Sequence, residues 1–246
     1  MFYTTRMSSS SPLPEPPRRV ARNPRRPRRR PALTVEAIVA AAIAVLDEAG
    51  VAGLTMRRVA AELDTGAASL YAYVSGRDEL LELVYDELLG SVPLPAPDPA
   101  RWREQVLEML RGLRDVLVSH RDAALAGLGR IPTSPKTLAA AEALVAALRA
   151  GGLSERVVAL GFDQLVLYVS AWALEASMYE HGGMSPEEVE RYFDEIHRFY
   201  RALPADRYPV LAAVAPDRPG HDGDERFEFG IEVLLSGLEA LDARAD

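Results

Sequence analysis

The stretch that decides the fold runs from Leu54 to Leu81 and reads LTMRRVAAELDTGAASLYAYVSGRDELL. Its first part, Thr55 to Leu63, has the spacing of a short helix, with Val59, Ala60 and Leu63 on one apolar face. Asp64-Thr65-Gly66 breaks that pattern, and a second short helix follows through Ala67, Ser69, Leu70, Tyr71 and Val74. Two short helices joined by a tight turn containing glycine form the helix-turn-helix pattern, whose second helix lies in the DNA major groove. The second helix starts with Gly66, Ala67, Ala68 and Ser69, small enough to let the backbone approach base edges. Alanine methyls can meet thymine methyls, and a serine hydroxyl can donate or accept. The turn departs from the usual glycine followed by an apolar residue, but aspartate at position 64 tolerates a left-handed backbone.

Outward from this stretch the chain reads as helices throughout. Upstream, Thr34 caps a helix with Ile38, Ala42, Val45, Leu46 and Ala49 on one stripe, and Gly50 ends it. Downstream, Ser75-Gly76-Arg77-Asp78 reads as a capping box for a helix that buries Leu80, Leu81, Val84 and Leu88. Residues 34–91 therefore form a helix-turn-helix bundle, set off from the rest by a proline-rich linker over 92–100. Residues 101–246 are expected to be a second helical domain. Its helices run from about Ala100 to Ser119, from Lys136 to Arg149, and from Ser154 to about Glu180. Another follows Ser185-Pro186-Glu187-Glu188, a strong start signal, and a last one spans about Asp224 to Ala243. Residues 204–224 read as a loop. The helix after Ser154 is apolar around its whole circumference near Leu165 to Trp172, so it is expected to be buried against both its own domain and a partner subunit. The fold class is all-α.

Charge is distributed unevenly. The net charge of the chain is −8, but residues 1–33 hold nine arginines and one glutamate, a net of +8. That segment also holds seven prolines and reads as a disordered arm. Three readings stay open for it: an arm that touches phosphates, a solubilising tail, or a start site misplaced upstream of Met7. The bundle over 34–91 sets Arg57, Arg58 and Arg77 against ten acids, a thin supply for binding B-DNA. The absence of cysteine excludes disulfides and thiolate metal sites and suits a cytoplasmic protein. The longest charge-free run in the second half, Gln164 to Leu174, is far short of the roughly 20 residues a membrane span needs, so no membrane partner is expected. His120, His181, His197 and His221 are scattered without ligand or triad spacing, so catalysis, a metal and a cofactor are not expected.

The residues also resemble a known family. Thr55 with Val59-Ala60 and Leu63, then Leu70-Tyr71 with Tyr73-Val74, then Arg77 with Leu80-Leu81, are similar to the DNA-binding domain of the tetracycline-repressor (TetR) family. Trp102, His120-Arg121-Asp122, Leu128-Gly129 with Pro132-Thr133, Glu175 and Arg226 to Ile231 resemble its C-terminal effector domain. The resemblance implies a homodimeric, ligand-responsive repressor on double-stranded operator DNA. Thr55, Arg57, Thr65, Gly66, Ala67, Ala68, Ser69, Tyr71, Tyr73 and Arg77 would face DNA, with Tyr71, Tyr73 and Arg77 gripping phosphates. Met109, Leu113, Leu128, Ile131, Pro132, Phe162 and Leu165 would line a pocket for a small lipophilic or aromatic effector. Tyr168, Trp172, Phe227, Ile231, Leu234 and Leu238 would lie at the dimer seam. Members that bind tetracycline place a metal-coordinating histidine where Gly127 stands, so magnesium-tetracycline is not the expected effector. The rival readings are a helical interaction module and a transcriptional activator without an effector.

Overall fold

The computed structural model describes residues 33–129, 131, 133–181, 183–215 and 223–244. The basic arm, apart from Leu33, and Pro132 thus lie outside the described residues. Every regular element among the described residues is a helix: α1 (Val35–Gly53), α2 (Met56–Glu62), α3 (Ala67–Leu70), α4 (Arg77–Leu89), α5 (Trp102–Ser119), α6 (Ala123–Gly127), α7 (Pro135–Ala150), α8 (Glu155–Glu180), α9 (Pro186–Arg201), α10 (Pro209–Val214) and α11 (Gly223–Asp242).

The N-terminal bundle is built on α1, which packs on both α2 and α4. Thr34 caps α1 as expected, its Oγ1 accepting from the Ala37 N–H at 3.2 Å. Ile38, Leu46, Val59, Leu70, Leu80 and Val84 meet in a fully buried core. Two local expectations are corrected. Gly50 breaks α1 at φ 67° without ending it, and one further turn runs on to Gly53. Ser75 does not cap α4 with its side chain: Gly76 holds the cap position, and the Glu79 carboxylate reaches back to accept from the Ser75 N–H at 2.5 Å. Only the returning half of the box forms.

Residues 93–99 are irregular but anchored. Buried Gln105 on α5 accepts from the Asp98 N–H (2.8 Å) and donates to the Ala96 carbonyl (2.6 Å). Pro93 lies so close to Gly112 that a Cβ there would sit 2.4 Å from its ring. Replacing Gln105 with alanine leaves two backbone groups of the segment unpaired. The expected cost is about 2 kcal/mol, or a melting temperature lower by roughly 5 °C in thermal denaturation.

α8 is the central strut of the second half, packing against α5, α6, α7 and α11. By length and composition its stretch Glu155–Tyr179 is apolar enough to cross a membrane, which the charge-free run alone did not indicate. Here its stripe of Leu165, Val169 and Ala173 is fully buried in the fold, at the i, i+4, i+8 spacing of one helix face. The capping box at Ser185 forms in full with Glu188. The span read as a loop over 204–224 contains α10, a six-residue helix with Pro209 at its first turn.

The residues expected at the dimer seam pack largely within the chain itself. Phe227, Ile231 and Leu238 are buried within the chain's own core, and Leu234 is half-buried against it. Trp172 packs edge-on to Phe227, with ring centroids 5.4 Å apart. The Tyr168 hydroxyl donates to the carbonyls of Arg226 (3.1 Å) and Phe227 (3.3 Å). The physical reason is that α11 carries two apolar stripes, and the one read as the seam is the one its own domain uses. The outward stripe is Phe229, Val233 and Leu241, with Phe229 70% exposed. On α8 the outward positions include Leu160, Gln164, Leu167, Ala171 and Met178, spaced four, three, four and seven residues apart, as along a helix that pairs at a seam.

Candidate functional site

The helix-turn-helix is held by its backbone. Thr55 Oγ1 accepts from the Arg58 N–H at 3.2 Å and fixes the start of α2. The turn closes through Asp64 N–H to the Ala61 carbonyl (3.0 Å) and Thr65 N–H to the Ala60 carbonyl (2.9 Å). Asp64 takes the left-handed conformation at φ 50°, the role the sequence assigned to it. Gly66 does not need a glycine conformation, and a Cβ built there meets nothing within 4 Å. Leu70 and Val74 anchor α3 and the turn after it in the bundle core. That anchoring leaves Ala68 and Ser69 on the surface, with Tyr71 55% and Tyr73 43% exposed. Thr55 and Arg57 share the exposed side of α2, while Thr65 and Ala67 are half-buried at the turn.

Arg77 is placed differently from what the resemblance implied. Its Nε donates to the Leu54 carbonyl (2.9 Å) and its Nη2 to the Val51 carbonyl (2.6 Å). Through Nε and Nη2 the guanidinium is engaged at the corner between α1 and α2 and holds the head in position.

The same corner is gripped from the other side by a triplet the sequence offered only as a resemblance. His120 Nδ1 lies 3.0 Å from Asp47 Oδ1, and Arg121 donates to the Glu48 carbonyl at 3.1 Å. Asp122 Oδ2 accepts from the Val51 N–H at 3.0 Å. A Cβ at Gly50 would come within 2.3 Å of that carboxylate, so only glycine admits the contact. A second tie joins α4 to α7: Asp86 Oδ1, in a buried residue, accepts from both the N–H (2.8 Å) and the hydroxyl (2.9 Å) of Thr137. Sequence reasoning missed this tie because an aspartate on a charged helix reads as solvated until its partner, 51 residues away, is known.

Between α4, α5, α7 and α8 lies a cavity of about 300 Å³. Met109, Leu113, Leu128, Ile131 and Phe162 line it, together with Tyr85 and Leu89 from α4, Leu144 from α7 and Val166 from α8. Leu165 does not line it, because it sits on the fully buried stripe of α8 with Val169 and Ala173, beside the stripe of Phe162 and Val166. Where a histidine would have to stand at position 127, a Cβ would meet the Tyr85 ring at 2.2 Å. Glu175 is held by Arg226 at 2.7 and 3.1 Å and does not line the cavity. Among the described residues no group of three or more His, Cys, Asp or Glu side chains is arranged to hold a metal ion.

A helix-turn-helix head joined to a helical body with a largely apolar pocket is the arrangement of a ligand-responsive, DNA-binding transcriptional regulator, and the comparisons with known proteins agree. Residues 38–84 match the family described as bacterial regulatory proteins, tetR family, and residues 94–241 match the tetracyclin repressor-like C-terminal domain. The chain therefore belongs to the TetR family. It is 36% identical over 220 residues to an HTH-type transcriptional regulator of Saccharopolyspora erythraea, covering 87% of each chain. It is 33% identical to the HTH-type transcriptional repressor DrrR1 of Streptomyces coeruleorubidus, covering 89% of this chain and 83% of that one. Among solved structures it resembles the TetR family protein ActR of Streptomyces coelicolor in complex with actinorhodin. That match has a TM-score of 0.79 and 41% identity, and covers 88% of this chain and 100% of ActR. Regulators of this family bind operator DNA and small-molecule effectors.

Proposed function

We propose that the chain acts in the cytoplasm as a homodimeric repressor that occupies a palindromic operator and leaves it when a small apolar or aromatic compound fills the α4–α8 cavity. In this reading residues 34–91 are the DNA-binding domain, 92–100 the linker and 101–246 the effector and dimerisation domain. Thr55, Arg57 and Thr65 to Ser69 face the groove, while Tyr71 and Tyr73 offer their hydroxyls to phosphates. The observation that carries it is the pair of tyrosines standing out beside the fully buried Leu70 and Val74. Nothing inside the fold demands glycine at position 66, so the bare backbone there suits an approaching duplex. The outward seam of α8 and α11 supplies the dimer face. ActR was solved with actinorhodin, and the largely apolar wall of this cavity supports an aromatic compound here too. Magnesium-tetracycline fits poorly, since Tyr85 fills the space at Gly127 and Arg226 engages Glu175.

Release follows from α4, which touches the cavity through Tyr85 and Leu89 and holds the head through Arg77. A ligand shifts such an equilibrium only by binding one arrangement of α4 more tightly than the other. A gel shift on the DNA flanking the protein's own reading frame tests the proposal, with a specific complex expected and no preference over unrelated DNA contradicting it. In the same assay, deleting residues 1–33 weakens binding and flattens the dependence of log K on log salt by several units. The segment's net charge of +8 displaces counterions that the acidic bundle cannot. An unchanged slope shows that the arm touches no DNA.

A further inference from the structure

We propose that Tyr85 is the residue that reads the effector, its phenol hydroxyl reserved for a carbonyl-type acceptor oxygen on a flat aromatic ligand. The inference rests on the cavity being the effector site and adds the chemistry by which the ligand is recognised there. Tyr85 lines the cavity from α4, and its hydroxyl has no hydrogen-bond partner among the described residues. The hydroxyl is not walled off inside the core but opens on the cavity, where an acceptor on an entering ligand can take its bond. Burial pushes the phenol up to about 12, so the group faces the cavity as a neutral donor throughout the physiological range.

The surroundings fix the ring. Gly127 at the end of α6 leaves the space the phenol occupies: a Cβ there would meet Cε2 and Cζ at 2.2 Å and the hydroxyl oxygen at 2.7 Å. Thr133, Ser134, Thr137 and Ser170 also line the cavity, but the Thr137 hydroxyl is already given to Asp86 at 2.9 Å. An aliphatic hydroxyl is also a weaker acid than a phenol and the poorer donor. Of these hydroxyls only that of Tyr85 sits on α4. A bond formed there acts on the helix whose first residue, Arg77, holds the carbonyls of Val51 and Leu54. Recognition and response thereby fall on one helix.

The test uses two tricyclic probes that differ by one carbonyl, 9-fluorenone and fluorene, in equilibrium dialysis with the full chain and with Tyr85→Phe, which keeps the ring and removes the hydroxyl. The expected result is a loss of about tenfold for fluorenone and of less than about twofold for fluorene. Comparing the two losses cancels the difference in hydrophobicity between the probes. Equal losses, or no binding of fluorenone to the unaltered protein, overturn the assignment to Tyr85. A third protein, Val166→Trp, narrows the cavity from α8 and is checked for folding by its melting temperature. Probe binding that survives this substitution unchanged overturns the reading of the cavity itself, whatever Tyr85→Phe does.

Discussion

Replacing Ser69 and Tyr71 together with glutamate is expected to weaken binding to the protein's own upstream DNA by at least about a hundredfold, with little change in melting temperature. Both residues are exposed, and substitutions at such positions usually alter stability by less than about 0.5 kcal/mol. The effect therefore reports on DNA. Each head loses a groove contact and a phosphate contact and gains two negative charges against the duplex. A lost base or phosphate contact costs about 1–3 kcal/mol, and a dimer pays it twice. Three kcal/mol is already more than a hundredfold in affinity. Fluorescence anisotropy on labelled DNA measures the loss directly, and an affinity within threefold of the unaltered protein would remove these residues from the interface.

The second large effect concerns assembly. Phe229→Asp with Val233→Asp is expected to give a folded monomer in sedimentation velocity. Both side chains point outward from α11, with Val233 53% exposed, and neither belongs to the chain's own buried core. Carboxylates there would have to be desolvated in a pairing seam, while in a monomer they remain in water. The consequence for DNA is larger than any single contact. One head alone loses the second half-site, and binding falls from the range of specific complexes, about 10⁻⁸ M or tighter, toward the non-specific range of about 10⁻⁴ to 10⁻⁶ M. By contrast, Ile231→Asp should unfold the chain, because Ile231 is buried inside the subunit. A double variant that remains dimeric would place the seam elsewhere.

The difference between Val233 and Ile231 marks what was legible in the sequence. Local periodicity placed the helix-turn-helix, the turn at Asp64, and the starts at Thr34 and Ser185, because each depends on residues within a few positions of one another. It also showed that α8 is apolar around its circumference, while α11 read as apolar on one face only. It could not show which face turns inward, because that depends on the helices packed alongside, which lie far away in the chain. For the same reason it could not show that the α11 stripe of Phe227, Ile231 and Leu238 and the α8 residue Leu165 pack inside the chain's own core. Arg77 was hidden by a different limit. A surface-type residue at a DNA-facing motif position reads as a phosphate ligand until the carbonyls of Val51 and Leu54 are seen beneath it. The polar ties made by Gln105, Asp86 and Asp122 were not legible as ties, since a hydrogen bond to a distant backbone group leaves no local pattern. In the sequence Asp122 stands out only through the family resemblance. Tyr85 was missed because nothing in sequence separates a phenol facing a cavity from one packed in a core.

Two heads on one dimer should touch DNA about one helical turn apart, roughly 34–36 Å, on the same side of the duplex. Hydroxyl-radical footprinting of the upstream region with the full chain measures this directly. The account predicts two related protected patches with that separation, both lost in the Ser69/Tyr71 variant. A single patch, or protection that persists in the variant, would contradict it.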